Sequence, residues 1–206
     1  AGCAIGKKIL VPGGYGMRRY GMVVALTSVC MTGVCMAGMA LAAPIDGKTA
    51  KKALFAPVKA EVEILAAAGL PKDQAEALQM VGGQQLYYGA IAISPDEGLM
   101  SEATVAAANY HDTAAASAVA LAECNAKKTG KSDCVVAALI RPKGWKDKGF
   151  QLSSDATAGF KADPAGALAV STATGAWGIG ADDAAAIAAC VARNDTATDC
   201  TVVIAN

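Results

Sequence analysis

Two sets of apolar side chains alternate along residues 87–94, with Tyr88, Ala90 and Ala92 against Gly89, Ile91 and Ile93, and the turn residues Pro95-Asp96-Glu97-Gly98 follow. That pattern predicts a strand and a hairpin turn, with a return strand over Leu99–Ala106 in which Thr104 and Val105 are the best strand formers. An alanine-rich run over Thr113–Ala126 then predicts a helix, with Asp112 as its N-cap. Cys134 opens an apolar strand, and Pro142 closes it. The order returns later in shorter form: strand Gly166–Ser171, turn Thr172–Gly175, return strand Ala176–Ile179, helix Asp182–Arg193, strand Cys200–Ala205. The chain therefore reads as an internal repeat, over residues 87–142 and 165–206. Residues 143–164 form a charged, turn-rich connector in which Phe150-Gln151-Leu152 is expected to be a short strand.

The two copies differ in a telling way. Asp112 to Cys124 is 12 positions and Asp182 to Cys190 is 8, so the first helix is longer by 4, close to one turn. Its cysteine is therefore expected on the same helix face as its counterpart. The step from the first to the second cysteine is ten positions in both copies.

Residues 43–86 read as helical. Leu54, Val58, Val62 and Leu65 recur at helical spacing, Pro57 splits the run into two pieces, and Pro71-Lys72-Asp73 starts a short helix through Met80. The apolar stripe of this segment is expected to cover a sheet. The fold class is thus α+β: an N-terminal helical segment and two tandem strand-strand-helix-strand units. Their antiparallel-rich sheets are expected to pair or continue into one another.

Residues 1–42 read differently. Met17-Arg18-Arg19, an apolar run from Met22 to Met39 and then Ala40-Leu41-Ala42 have the three parts of a secretory signal, with cleavage expected after Ala42. Residues 1–16 precede the expected start at Met17 and are set aside as an upstream extension. An uncleaved signal would be the only expected membrane contact.

Composition changes the picture in two respects. Of 206 residues, 54% are hydrophobic but only 5% aromatic, so the core is expected to depend on close backbone approach more than on large side chains. Formal charge is zero, yet Lys7, Lys8, Arg18 and Arg19 all precede residue 43 and no acid does, so the body carries about −4. Without basic runs, nucleic acid is not an expected partner.

Four of the seven cysteines follow the signal: Cys124, Cys134, Cys190 and Cys200. In an exported chain they read as two disulfides. Three pairings exist; Cys124 with Cys134 and Cys190 with Cys200 each close a local loop within one unit. A four-thiolate zinc site would want cysteines two to four residues apart, and no pair has C-x-x-C redox spacing.

These residues resemble a bacterial family of exported domains of unknown function, found as single or tandem copies. Its pattern is a G-A-I-A strand, a return strand bearing G-x-W-G, an alanine-rich helix ending in cysteine, and a second cysteine opening an apolar strand. The second copy carries it best, through Gly175-Ala176-Trp177-Gly178; the first has Gly98-Leu99-Met100-Ser101 at the matched positions. The resemblance implies an exported protein and no particular activity. An activity of the 5-aminolevulinate synthase kind is not supported, since such an enzyme needs a much larger cofactor domain with a lysine inside it.

Candidate chemistry is sparse. The one histidine, His111, is followed directly by Asp112, which is better used as a helix cap than in a Ser-His-Asp triad with Ser94, Ser101 or Ser117, and no G-x-S-x-G elbow is present. His111 is therefore a weak catalytic candidate for a small envelope hydrolase, and no cofactor or metal is expected. Exposed aromatics suit a protein partner in the envelope or outside the cell: Trp145 in its Lys- and Gly-rich connector, Trp177, and Tyr110. A periplasmic or secreted interaction or inhibitor-like protein, not an enzyme, is the expectation.

Overall fold

The computed structural model describes residues 43–57 and 60–205; the expected signal and upstream extension, residues 1–42, lie outside them. The fold is α+β, with two separate four-stranded sheets. The first contains β2 (Ala60–Ile64), β3 (Gly89–Ile93), β4 (Val105–Ala107) and β5 (Val135–Pro142), in the order β2-β5-β3-β4, all antiparallel. The second contains β1 (Ile45–Asp46), β6 (Ala167–Val170), β7 (Trp177–Gly180) and β8 (Thr201–Ala205), in the order β1-β8-β6-β7. There β1 runs parallel to β8 and the other pairs are antiparallel. The helices are α1 (Gly47–Ala53), α2 (Lys72–Gly82), α3 (Thr113–Lys127), α4 (Ser154–Ala162) and α5 (Asp183–Arg193). Contrary to expectation, the sheets neither pair with nor continue into one another.

Strand alternation decides which face of each sheet receives what. On β3, Ala90 and Ala92 face α3 and join Ala116, Ala120 and Cys124, while Ile91 and Ile93 face the opposite way, toward Leu78 of α2. On β6, Ala167 and Ala169 face Ala186 and Cys190 of α5, while Leu168 and Val170 face Ala50 of α1 and Phe160 of α4. Each sheet is thus covered by a disulfide-bearing helix on its alanine face and by helices from outside the strand-strand-helix-strand segment on its large-residue face. The expected stripe does not act as one cover: Leu54 packs on the second sheet with Ala50, Val62 belongs to β2 itself, Val58 lies outside the described residues, and the first sheet is covered by Leu78 of α2.

The two halves share several details. A register irregularity falls between Ile91 and Ala92 on β3 and between Leu168 and Ala169 on β6, the matching positions. Asp112 and Asp182 accept from the Ala115 and Ala185 amides as N-caps of α3 and α5. These helices have 15 and 11 residues, and Cys124 and Cys190 are both fully buried. In each half, carboxylates also tie the hairpin turn to the cysteine loop. In the first half Glu97 accepts from the Thr129 and Gly130 amides and Asp96 from that of Ser132; in the second, Asp199 reaches back to the Ala173 amide and the Ser171 hydroxyl.

Helix spacing differs between the halves. A Cβ added at Gly178 would lie 2.2 Å from the Cys190 nitrogen, and one at Gly180 would lie 2.3 Å from that of Ala186. Only glycine lets α5 approach β7 this closely. The register places Val105 and Ala107 at the corresponding positions of β4, so side chains separate it from α3.

Three expectations need correction. Residues 45–46 and 60–64 are strands, not parts of a helix: Ile45–Asp46 pairs with β8, and in 60–64 Ala60, Val62 and Ile64 alternate with Glu61 and Glu63, a period a half-buried strand accommodates, after α1 has ended at Ala53 ahead of Pro57. The return strand of the first half is only Val105–Ala107, and Leu99–Thr104 forms turns in which Thr104 Oγ1 bonds the Leu99 carbonyl. Trp177 consequently corresponds in register to Thr104, not to Met100. Finally, Phe150-Gln151-Leu152 is not a strand; it leads to α4, whose N-cap Ser153 accepts from the Ala156 amide.

Candidate functional site

The segment Ala108–Asp112 between β4 and α3 meets the β6–β7 turn and the start of α4, and this seam holds the two halves together. His111 lies in it and is 5% exposed. Its Nε2 is 3.1 Å from the Ala176 carbonyl oxygen, and its Nδ1 accepts the Ser153 amide at 3.3 Å. An amide N–H only donates, so the single ring proton sits on Nε2 and goes to Ala176. Burial pushes the imidazole pKa down, against smaller upward pulls from the Ala176 carbonyl and the Asp112 and Asp199 carboxylates. Asp112 caps α3, as its position suggested. Ser101 bonds Glu97, Ser117 bonds the Thr113 carbonyl, and the Ser94 hydroxyl is buried without a partner among the described residues, so none of the three serines bonds the ring. With both nitrogens bound to backbone, His111 has no lone pair free to activate a nucleophile.

Asn109 adds a second tie. Its φ is +64°, a conformation asparagine tolerates better than most residues, and its side chain donates to Asp155 Oδ2 while accepting the Asp155 amide. Beside it the Trp177 ring carries the Arg193 guanidinium 3.5 Å from its centre. The benzene edge of the ring is so close to α4 that a Cβ on Gly159 would lie 2.2 Å from it. Asn109, Asp155, Gly175, Trp177 and Arg193 border a shallow groove of about 310 Å³. Tyr110, half-buried against the core of the first sheet, crosses the same seam: a Cβ on Gly175 would lie 3.6 Å from its Cα. Two of the three expected surface aromatics are thereby brought together, although largely as packing.

Trp145 lies elsewhere, at a cleft of about 420 Å³ bordered by Glu61 and Glu63 of β2, Arg141 and Pro142 of β5, Gly144 and Trp145 itself. Strand pairing sets Glu61 opposite Arg141, so both side chains leave the same face. The Trp145 amide closes a turn onto the Pro142 carbonyl, with Gly144 at φ +68°, and this folds the indole over the strand. The Arg141 guanidinium lies 4.5 Å from the ring centre and pairs with Glu63; Glu61 accepts the Gly144 amide at 3.0 Å. Arg141 Nε and Trp145 Nε1 are both buried with no acceptor in hydrogen-bond geometry among the described residues. Below the indole, burial raises the pKa of the Tyr88 hydroxyl, and the approaching Trp145 N–H lowers it by less. The cleft therefore combines an aromatic face, a part-exposed guanidinium, two carboxylates and, at Arg141 Nε, a buried N–H lacking an acceptor among the described residues.

The cysteines are paired as Cys124–Cys134 and Cys190–Cys200, with Cα separations of 6.1 and 6.2 Å. Both bridges fit an oxidising compartment. Among the described residues no helix is long and apolar enough to cross a membrane. Sequence reading missed Arg141, Glu61 and Glu63 as companions of Trp145. The alternation of Glu61 and Glu63 around Val62, read as a strand, would have suggested them. Arg193 and Asn109 carried no comparable signal, because their partners lie far away in the chain. Comparison with protein-family models, with curated proteins and with solved structures finds no match for this chain.

Proposed function

We propose that this protein is an exported, disulfide-stapled interaction domain, built from two tandem copies of the unit it resembles in sequence, that binds an envelope or secreted protein through the Trp145 cleft. The observation that carries this reading is the buried Arg141 Nε, left without an acceptor among the described residues, in a cleft formed by the Trp145 ring and the exposed carboxylates of Glu61 and Glu63. A buried N–H without an acceptor costs about 1 to 3 kcal/mol, and a partner that displaces the neighbouring side chains and supplies a carbonyl or carboxylate oxygen recovers it. The signal-like start at Met17 and the two staples support export to the periplasm or beyond. Hydrolysis by His111 is the weaker reading, because both ring nitrogens are engaged by backbone.

The test is capture from envelope and culture fractions by the oxidised protein and by Trp145→Ala. A single stoichiometric partner held by the former and lost by a folded Trp145→Ala supports the reading. Equal capture by both moves the site away from the cleft, and no stoichiometric partner in any fraction overturns the binding role.

A further inference from the structure

We propose that His111 is an acid-operated latch: a proton taken up at Nδ1 releases the start of α4 from the seam and opens the contact between the two halves. The geometry permits only one protonation state in the closed form. Nδ1 receives the Ser153 N–H, and Nε2 donates to the Ala176 carbonyl, which also accepts the Ser171 amide. A second ring proton would stand directly against the Ser153 N–H, two donors facing each other at 3.3 Å. No rotation about the ring axis relieves this, since exchanging the nitrogens sets the donor against Ser153 and leaves Ala176 with the other.

The latch is placed where its release spreads. Ser153 is both the partner of His111 and the N-cap of α4, through its hydroxyl on the Ala156 amide. Its neighbour Ser154 donates its amide to the Tyr87 carbonyl, and Asp155 is clasped by Asn109 two residues before His111. On the other side, Ala176 precedes Trp177, whose ring rests on Gly159 of α4. Two backbone segments thus meet on the imidazole, and two more, at Tyr87 and Asn109, are tied to the same helix start.

The charged groups facing the ring are Asp112 from its own segment and Asp199 from the loop before β8; both favour the protonated ring. Asp112 is held by the Ala115 amide and Asp199 by Ser171 and Ala173, so neither swings in to compensate fully. Asp155, from α4, is turned to Asn109, and Arg193, from α5, lies on Trp177. Burial outweighs the two carboxylates and holds the closed-state pKa below the ordinary 6.5. The sign follows: the open ring binds a proton more readily, so the closed form is fully favoured above about pH 6.5 and loses ground as pH falls toward the closed-state value. Within that window one proton shifts the open-to-closed ratio about tenfold per pH unit.

The experiment is amide hydrogen exchange on the oxidised protein from pH 7.5 downward, corrected for intrinsic rates, with nitrogen NMR of the one histidine. The expected result is that protection at Ser153 and Ala156 falls about tenfold per unit below pH 6.5 while the amides of β3 and β5 keep theirs, and that His111→Asn abolishes the pH dependence. Protection at Ser153 that stays flat, or that falls in step with β3 and β5, overturns the latch. So does an imidazole spectrum at pH 7.5 showing the proton on Nδ1, a readout that needs no variant to fold.

Discussion

Substituting Gly178 by alanine tests the claim that glycine sets the spacing between α5 and its sheet. The added Cβ would lie 2.2 Å from the Cys190 nitrogen, 2.5 Å from the Ala189 carbonyl carbon and 2.6 Å from the Ala186 carbonyl oxygen, all backbone atoms. Ordinary contact begins near 3.4 Å, so the helix must retreat by about 1.2 Å, and no side-chain rotation avoids it. A gap of about 1 Å forfeits up to half of the dispersion energy of each contact it opens, and Ala186 and Cys190 sit squarely on that surface. The Cys190–Cys200 bridge ties this helix to β8 and limits how it can yield. Overpacking of this kind costs about 1 to 3 kcal/mol, and rigid backbone on the far side argues for the upper end. Alanine also stabilises by about 0.4 to 1 kcal/mol by restricting the unfolded chain, so the net loss is about 2 kcal/mol. With a urea slope of about 2 kcal/mol per molar, the midpoint of equilibrium unfolding should fall by about 1 M. In the first half the corresponding residue is Val105, 6% exposed in the core, so trimming it to alanine should destabilise by opening space instead of crowding it. An unchanged or raised midpoint for Gly178→Ala, with native near-ultraviolet dichroism, would show that the helix does not approach β7 as described.

Replacing both Cys190 and Cys200 by alanine should lower stability by about 2 to 3 kcal/mol, the chain-entropy value for a loop closed at a separation of 10, measured by urea unfolding. Reductant should then change the midpoint of that variant only through Cys124–Cys134. Gly159→Ala drives a methyl into the Trp177 ring and should expel its edge toward solvent, seen as a red shift in tryptophan emission beside a loss of about 1 to 3 kcal/mol; an unshifted spectrum would count against the packing. Glu97 is held at about 2 by the Ser101 hydroxyl and then by the Gly130 and Thr129 amides. Its depressed pKa means that its clamp on the cysteine loop is present above the ordinary 4.5 and is lost as pH falls through about 2, which a carboxyl carbon NMR titration should trace. Glu97→Gln should remove that acid limb without disturbing the second half.

What the residues disclosed, and what they hid, separates by range. The second half was legible almost to the residue, because strand, turn, Asp-capped helix and cysteine-led strand are all local signals and each agrees with the next. Residues 60–64 were ambiguous because Leu54, Val58, Val62 and Leu65 also satisfy a helical period; the decision rested on whether β5 had an open edge to offer, which is a tertiary fact. Helix α4 was missed since its buried face includes Ser154 and Thr157, so it shows little apolar periodicity. The role of His111 could not be read locally at all: its partners are 42 and 65 residues away, and an adjacent Asp112 suggested chemistry where there is a cap.

The pairing of Ile45 with Ile204 and of Asp46 with Ala205 has a consequence for how the molecule is made. The second sheet joins residues near the start of the described chain to residues near its end, so the longest loop must close before that sheet is whole, and such long-range contacts are slow to form. The first half needs no residue beyond about position 142 for its strands and can order earlier, during emergence of the chain. Shortening the C-terminus by five or six residues would remove β8, the strand on which both β1 and β6 depend. Such a truncation should leave a folded first half attached to a chain open to proteases.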